Sequence, residues 1–272
     1  MNAQQVREYV LAVIPARYGS MRLPGKPLKD IGGQPMIAHV IDRVRSARLV
    51  NEVIVATDDE RIAAAVHAVG ARAVITSPEL QSGTDRIAAA VRDRSDATII
   101  VNVQGDEPLL PAAMVDQAVK LLLDHRDVYA GTLVKRITSA TELHNPSVPK
   151  VVLGNRRQCL YFSRSPIPYL RDVAETDWLA RGEFYRHIGL YVFRKDFLLT
   201  YAALPQTPLE QFEKLEQLRI LEHGYSIFAE VTNLESVPVD TEEDLDRVRA
   251  IVERASSDRH ESSFTPPSHH HD

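Results

Sequence analysis

Short β-branched runs alternate with amphipathic stretches through the first half of the chain, and that alternation restricts the fold more than any other feature. Residues 10–14 (VLAVI) read as a buried strand, 53–56 as another, 73–76 as a short one and 98–103 (TIIVNV) as a strongly β-branched one. Between them, residues 36–44, 60–69 and 84–94 place apolar side chains at helical spacing. Pro35 is tolerated at the first turn of one of these helices, and Thr84 reads as the cap of another. A further helix over 111–125 begins on proline. This order predicts an α/β fold, a doubly wound and mostly parallel sheet with helices on both faces. Ligands of such sheets sit beyond the carboxyl ends of the strands, so the loops starting at Pro15, Thr57 and Gln104 are the places to seek a site.

The second half has a different pattern. Residues 150–153 and 158–163 flank a Gly154-Asn155 turn and predict a β-hairpin. A long loop leads to a strand over 184–193, in which His187, Gly189 and Tyr191 share one side. Helices follow over 195–203 and 209–222, the latter closed by Gly224, then a strand over 225–231 and a last helix over 241–254. One domain over 1–254, with a hairpin lobe inserted around 140–200, accommodates these elements. From Ala255 the composition turns to Ser, Pro, Asp and His, which predicts a disordered tail over 255–272. Its histidines lie outside every motif discussed below and are given no catalytic role.

Composition removes several classes of function. The formal charge of −5 disfavours a protein held to nucleic acid by phosphate neutralisation. The one cysteine, Cys159, permits neither an internal disulfide nor a Cys-rich zinc site. No apolar run approaches the ~18 residues of a membrane span, and the N-terminus lacks the layout of a signal peptide. These features predict a soluble protein of the cytoplasm.

The strongest chemical signal is the loop IPARYGSMRLPGKPL, residues 14–28, between the first strand and the first helix. Its glycines let backbone amides approach phosphate oxygens, and Arg17, Arg22 and Lys26 neutralise them. It is not a Walker A loop, because Pro27 stands where a Ser or Thr would meet magnesium. The plainer alternative is a Gly/Pro surface loop with scattered bases.

As a string this loop resembles the signature of the 3-deoxy-manno-octulosonate (Kdo) cytidylyltransferases, or CMP-Kdo synthetases. The resemblance extends to QSGTDR (81–86), NVQGDEP (102–108), YFSRSPIP (161–168), RHIGLY (186–191), LEQLR (215–219) and VDTEEDL (239–245), in the family's order. It implies a Rossmann-like nucleotidyltransferase fold with a smaller β-rich dimerisation lobe, a homodimer, and transfer of CMP from CTP to Kdo for lipopolysaccharide synthesis. Under it, Arg17, Lys26, Asp106 and Asp240 are catalytic, and Asp106 and Asp240 hold Mg²⁺. Ala16, Arg17, Gly19, Ser20, Lys26, Ser82, Arg86 and Gln104 bind the nucleotide. Arg164 meets the Kdo carboxylate, while His187, Tyr191, Glu216 and Gln217 bind the sugar.

Each residue also has a plainer reading. Asp106 can be a turn residue and Asp240 a helix-start aspartate, with Thr241 and Asp244 completing a capping box. Arg86 can be a solvated base, and His187 beside Tyr191 a structural pair. Glu216 falls on the apolar arc of a 209–222 helix with Leu209, Phe212, Leu215 and Ile220, where Arg219 is its obvious partner. Pro149 removes the first hydrogen bond of the strand that follows. Two rival functions stay open: a cytidylyltransferase for 8-amino-Kdo, sialic acid or another acidic sugar, and a non-catalytic nucleotide-binding protein of the same fold.

Overall fold

A computed structural model describes residues 8–19, 22–80 and 82–262. Strand β1 (Val10–Ala16) is central. It pairs in parallel with β4 (Glu52–Thr57) on one side and β6 (Ile99–Asn102) on the other, and β4 pairs in parallel with β5 (Arg72–Ile75). The short pair β2 (Asp30–Ile31) and β3 (Gln34–Pro35) closes the loop after β1. Helices α1 (Met36–Arg45), α2 (Glu60–Ala68), α3 (Gly83–Val91) and α4 (Ala112–Asp124) make the crossovers. Pro35 is the N-cap of α1 rather than its first residue. The cap of α3 is Ser82, not Thr84: its hydroxyl accepts from Asp85 N, while the Asp85 carboxylate accepts from Ser82 N. Thr84 is thereby left for another partner.

Beyond β6 the sheet turns mixed. Strand β10 (Tyr185–Arg194) runs antiparallel to β6 and to β7 (Ala130–Arg136), and β11 (Phe228–Val231) pairs in parallel with β7. The hairpin of β8 (Lys150–Leu153) and β9 (Cys159–Ser163) is as predicted and joins the sheet through β8–β10 pairing. Strand β7 and the short α5 (Ala140–His144) were not foreseen, and α6 (Trp178–Arg181) interrupts the long loop. Helix α7 (Lys195–Ala203) matches expectation.

The expected 209–222 helix is two helices, α8 (Pro208–Glu213) and α9 (Leu218–Glu222), separated by Lys214 at φ 53°. Phe212 is 79% exposed, so the apolar arc assumed for a continuous helix does not exist. The last helix, α10, spans Glu242–Ser262 and so runs past Ala255, where the tail was expected to begin; residues 263–272 lie outside the described residues.

Alternation along β1 divides the interior. Val10, Ala12 and Ile14 join the layer packed on α1, α2 and α4, whereas Leu11 and Val13 join the layer under α3, α7 and α9. A smaller cluster of Leu23, Ile31, Met36, Val239, Leu245 and Val248 binds α10 to the loop after β1. Among the described residues, no helix is long and apolar enough to cross a membrane.

Candidate active site

Two connected cavities open along the carboxyl edge of the parallel strands, where the crossover rule places a ligand. The larger, of about 420 Å³, is walled by Ala16, Arg17 and Lys26 after β1, Ser82 and Arg86 at the start of α3, Gln104 and Asp106 after β6, and Asp240. The smaller, of about 230 Å³, lies over β6 and β10 and is lined by Asn102, His187, Gly189, Tyr191 and Gln217. Gly83, Gln104 and Glu216 face both cavities and mark their junction.

One cluster of charge dominates the larger cavity. Lys26 Nζ donates to Asp106 Oδ2 at 2.9 Å, Asp240 Oδ1 at 3.1 Å and Val239 O at 2.9 Å. Burial works against the ammonium charge, but the two carboxylates outweigh it and raise the Lys26 pKa. Gly25, at φ 67° with the Tyr18 ring 3.2 Å from where a Cβ would stand, turns the chain so that Lys26 points inward. Asp240 sits in an irregular segment pinned by Val239 N donating to Asp106 O at 2.9 Å. The capping expected of this region belongs to Thr241 and Asp244, whose side chains bond each other's ends of the first turn. That leaves the Asp240 carboxylate free for Lys26 and for Arg22 Nη2 at 3.0 Å. Next to Asp106, burial pushes the Glu107 carboxyl up to about 7 while it accepts from Ser236 Oγ.

The smaller cavity is polar at its wall and unsatisfied. Among the described residues, His187 Nε2, the Tyr191 hydroxyl and Gln217 Nε2 are buried without a hydrogen-bond partner. Leaving such a group unpaired costs about 1–3 kcal/mol, so three in one cavity describe a place for a polar ligand rather than a closed structural pair. Burial lowers the His187 pKa to about 3, so the imidazole is neutral and offers one donor and one acceptor. His187, Gly189 and Tyr191 do share one side, although β10 bulges there: Ile188 faces Leu133 and Tyr191 faces Thr132. Two extra residues preserve the parity of the strand.

Glu216 reaches the junction because the chain breaks between α8 and α9. Its Oε2 accepts from Thr84 Oγ1 at 2.9 Å, and burial raises its pKa against that hydrogen bond. Arg219 is not its partner; Arg219 forms a buried pair with Glu210 at 2.8 and 2.5 Å. Arg164 is not brought to the cleft either. Its guanidinium donates to the carbonyls of Glu213 at 2.6 Å, Pro146 at 2.8 Å and Lys214 at 3.3 Å, which fixes loops behind the smaller cavity. Gly19 is outside the cavity wall, and Ser20 lies outside the described residues. The sequence reading missed Thr84, Asn102 and Tyr201 as cavity residues. Asn102 is the last residue of β6, one short of the end of the TIIVNV run, so its place at the carboxyl edge was there to be seen.

A mostly parallel sheet with a cationic Gly/Pro loop facing two aspartates across its carboxyl edge defines a nucleotidyltransferase. The family model described as cytidylyltransferase matches residues 11–230. A 3-deoxy-manno-octulosonate cytidylyltransferase of Geobacter metallireducens is 51% identical over 244 residues, covering 88% of this chain and 96% of that protein. The protein of the same name from Geotalea uraniireducens is 52% identical, with 88% and 97% covered. A CMP:2-keto-3-deoxy-manno-octonic acid synthetase solved in complex with CTP superposes with a TM-score of 0.85 at 42% identity, covering 91% of this chain and all of that one. The chain belongs to the cytidylyltransferase family, within its 3-deoxy-manno-octulosonate cytidylyltransferases.

Proposed function

We propose that the protein transfers CMP from CTP to the anomeric hydroxyl of Kdo, giving CMP-Kdo for lipopolysaccharide synthesis and releasing pyrophosphate. The observation that carries this reading is the joining of the two cavities at Gln104 and Glu216, one side rich in cations and carboxylates and the other in unpartnered neutral donors and acceptors. The sugar hydroxyl oxygen attacks the α-phosphorus, the bond to the β-phosphate bridge breaks, and the hydroxyl proton leaves to solvent. Arg17 and Lys26 hold the phosphates and the departing pyrophosphate. His187, Tyr191 and Gln217 orient the sugar, and Glu216 accepts from one of its hydroxyls at the junction. Positioning and fixed charge supply the acceleration, with no covalent nucleophile.

The donors fit a magnesium ion. The Asp106 and Asp240 oxygens converge on one cationic point, now the Lys26 ammonium, and two hard carboxylates are a usual protein share for Mg²⁺ beside phosphate. When bound, the ion would neutralise phosphate charge and favour loss of the hydroxyl proton. A homodimer in the cytoplasm belongs to the same reading, supported by the edge strand β9 and its 54%-exposed Leu160.

Pyrophosphate release from CTP, measured with Kdo, 8-amino-Kdo and sialic acid in parallel, tests the proposal. Kdo is expected to be the preferred acceptor. Release with none of them would leave a nucleotide-binding protein, and a preference for either rival would reassign the substrate.

A further inference from the structure

Arg86 is anchored at two points. Its side chain is 4% exposed; Nη1 donates to Thr76 Oγ1 at 2.5 Å and Nη2 to Asp58 Oδ2 at 2.8 Å. Thr76 has no freedom to turn away. Its N–H and its hydroxyl both donate to Thr57 O, at 2.8 and 3.2 Å, so the hydroxyl proton is committed and its oxygen must accept from Arg86. Asp58 and Thr76 each stand one residue past the end of a strand, β4 and β5. Both strands lie on the opposite side of β1 from β6 and Asp106. Arg86 lines the larger cavity from the β4–β5 side, so with phosphates against Arg17 and Lys26 that side is left for the base.

We infer that Asp58 and Thr76 are positioning residues that set the choice of pyrimidine: they hold the Arg86 guanidinium so that its remaining donors meet the base edge, where cytosine is accepted and uracil refused. The inference rests on reading the cleft as a nucleotide site. A guanidinium has five N–H donors and no acceptor, and two are taken by Thr76 and Asp58. Cytosine offers acceptors at O2 and N3. Uracil carries a proton at N3, so a donor held there meets another donor, and both stay unpaired in a dry site. A guanidinium free to swing would relieve that clash. One clamped by a half-buried carboxylate and a committed hydroxyl does not.

The competing explanation is that the Asp58–Arg86 pair only fastens α3 to the end of β4. That role lowers stability on mutation but does not change the ratio of two nucleotide affinities. The experiment is equilibrium binding of CTP and of UTP to the full chain without a sugar acid, with thermal unfolding on the same preparations. In Thr76→Val, which keeps the shape and removes the acceptor, the UTP:CTP ratio of Kd values should fall about tenfold or more. Asp58→Asn should shift it the same way, and Thr76→Ser, which restores the hydroxyl, should keep the wild-type ratio. An unchanged ratio in folded Thr76→Val overturns the inference, as does a wild-type chain that binds CTP and UTP equally. A wild type that discriminates between them yet releases no pyrophosphate with any sugar acid leaves the clamp standing and removes the catalytic reading alone.

Discussion

One ammonium between two carboxylates is a stable arrangement only while nothing more strongly charged enters the cleft. Lys26 is 14% exposed, whereas Asp106 and Asp240 are 30% and 37% exposed, so the oxygens remain reachable from the cavity. Under the proposed mechanism, Asp106→Asn and Asp240→Asn are each expected to lower turnover by about 10²–10³ with the melting temperature nearly unchanged, since each removes a charge from the proposed metal site and keeps an oxygen to accept from Lys26. Near-normal turnover of Asp240→Asn at saturating Mg²⁺ would take that residue out of the mechanism. Arg164 is expected to behave in the opposite way. Its three carbonyl partners belong to the loop at Pro146 and to the break that presents Glu216, and its N–H donates to the Glu213 carboxylate at 3.0 Å. Arg164→Lys keeps the charge but loses the fork, and losing charge-assisted hydrogen bonds costs about 1.5–3 kcal/mol. Calorimetry should show a melting temperature lower by several degrees, at about 2–4 °C per kcal/mol for a chain of this size. An unchanged melting temperature with a raised KM for Kdo would return Arg164 to the sugar carboxylate. At this scale the motif residues Lys26, Asp106 and Asp240 were legible, because their chemistry is in their own loops. The partners of Arg86, Glu216 and Arg164 were not, because each comes from another element or loop and no local spacing announces it.

Close packing decides what the elements can tolerate, and β7 shows it. At Gly131 a Cβ would come within 2.6 Å of Leu121 Cδ2 and 3.0 Å of Val192 Cγ2, so α4 and β10 press directly on the backbone of this strand. Gly131→Ala is expected to cost about 1–3 kcal/mol by overpacking. Denaturant unfolding should therefore show a lower midpoint, and the kinetics should be unaltered because neither cavity includes Gly131. A variant as stable as wild type would mean that the Leu121 and Leu122 side chains yield without loss. The same glycine helps explain why β7 escaped the sequence reading. AGTLVKR begins on two small residues and ends on two cations, so its β signal is short, and its place between β10 and β11 comes from long-range pairing. The first half was legible for the opposite reason: β1, β4 and β6 are continuous apolar runs between helices of clear periodicity. The α8–α9 break was hidden by its composition. LEQFEKLEQLRI has good helical propensity throughout, and the break depends on Lys214 in the left-handed region and on the buried Glu210–Arg219 pair across the turn.

Across the whole molecule, the cleft runs along the sheet edge from Arg86 beside the ends of β4 and β5, past Lys26 and Asp106 beyond β1 and β6, to His187 and Tyr191 on β10. Such a cleft requires ionisable groups in dry surroundings, and these make stability depend on pH with two opposite signs. His187 has its pKa lowered from 6.5 to about 3 by burial. Between those values the unfolded chain takes up a proton that the folded chain refuses, so this residue makes stability fall as pH falls below 6.5, by up to about 1.4 kcal/mol per pH unit. Glu107 is raised from 4.5 to about 7, again by burial. The folded chain keeps a proton that the unfolded chain has released, so this residue makes stability fall as pH rises from 4.5 to about 7. The two oppose each other between pH 4.5 and 6.5, so their contributions to the slope offset there. Removing one group at a time separates them. Relative to wild type, His187→Gln should gain stability as the pH is lowered from 6.5 to 5, and Glu107→Gln should gain as it is raised from 5 to 7. Urea unfolding of the three proteins at pH 5, 6 and 7 measures both slopes. Parallel profiles for wild type and His187→Gln would show that the imidazole titrates as it does in water, and the smaller cavity would then lose its claim to be a dry site for a neutral polar ligand.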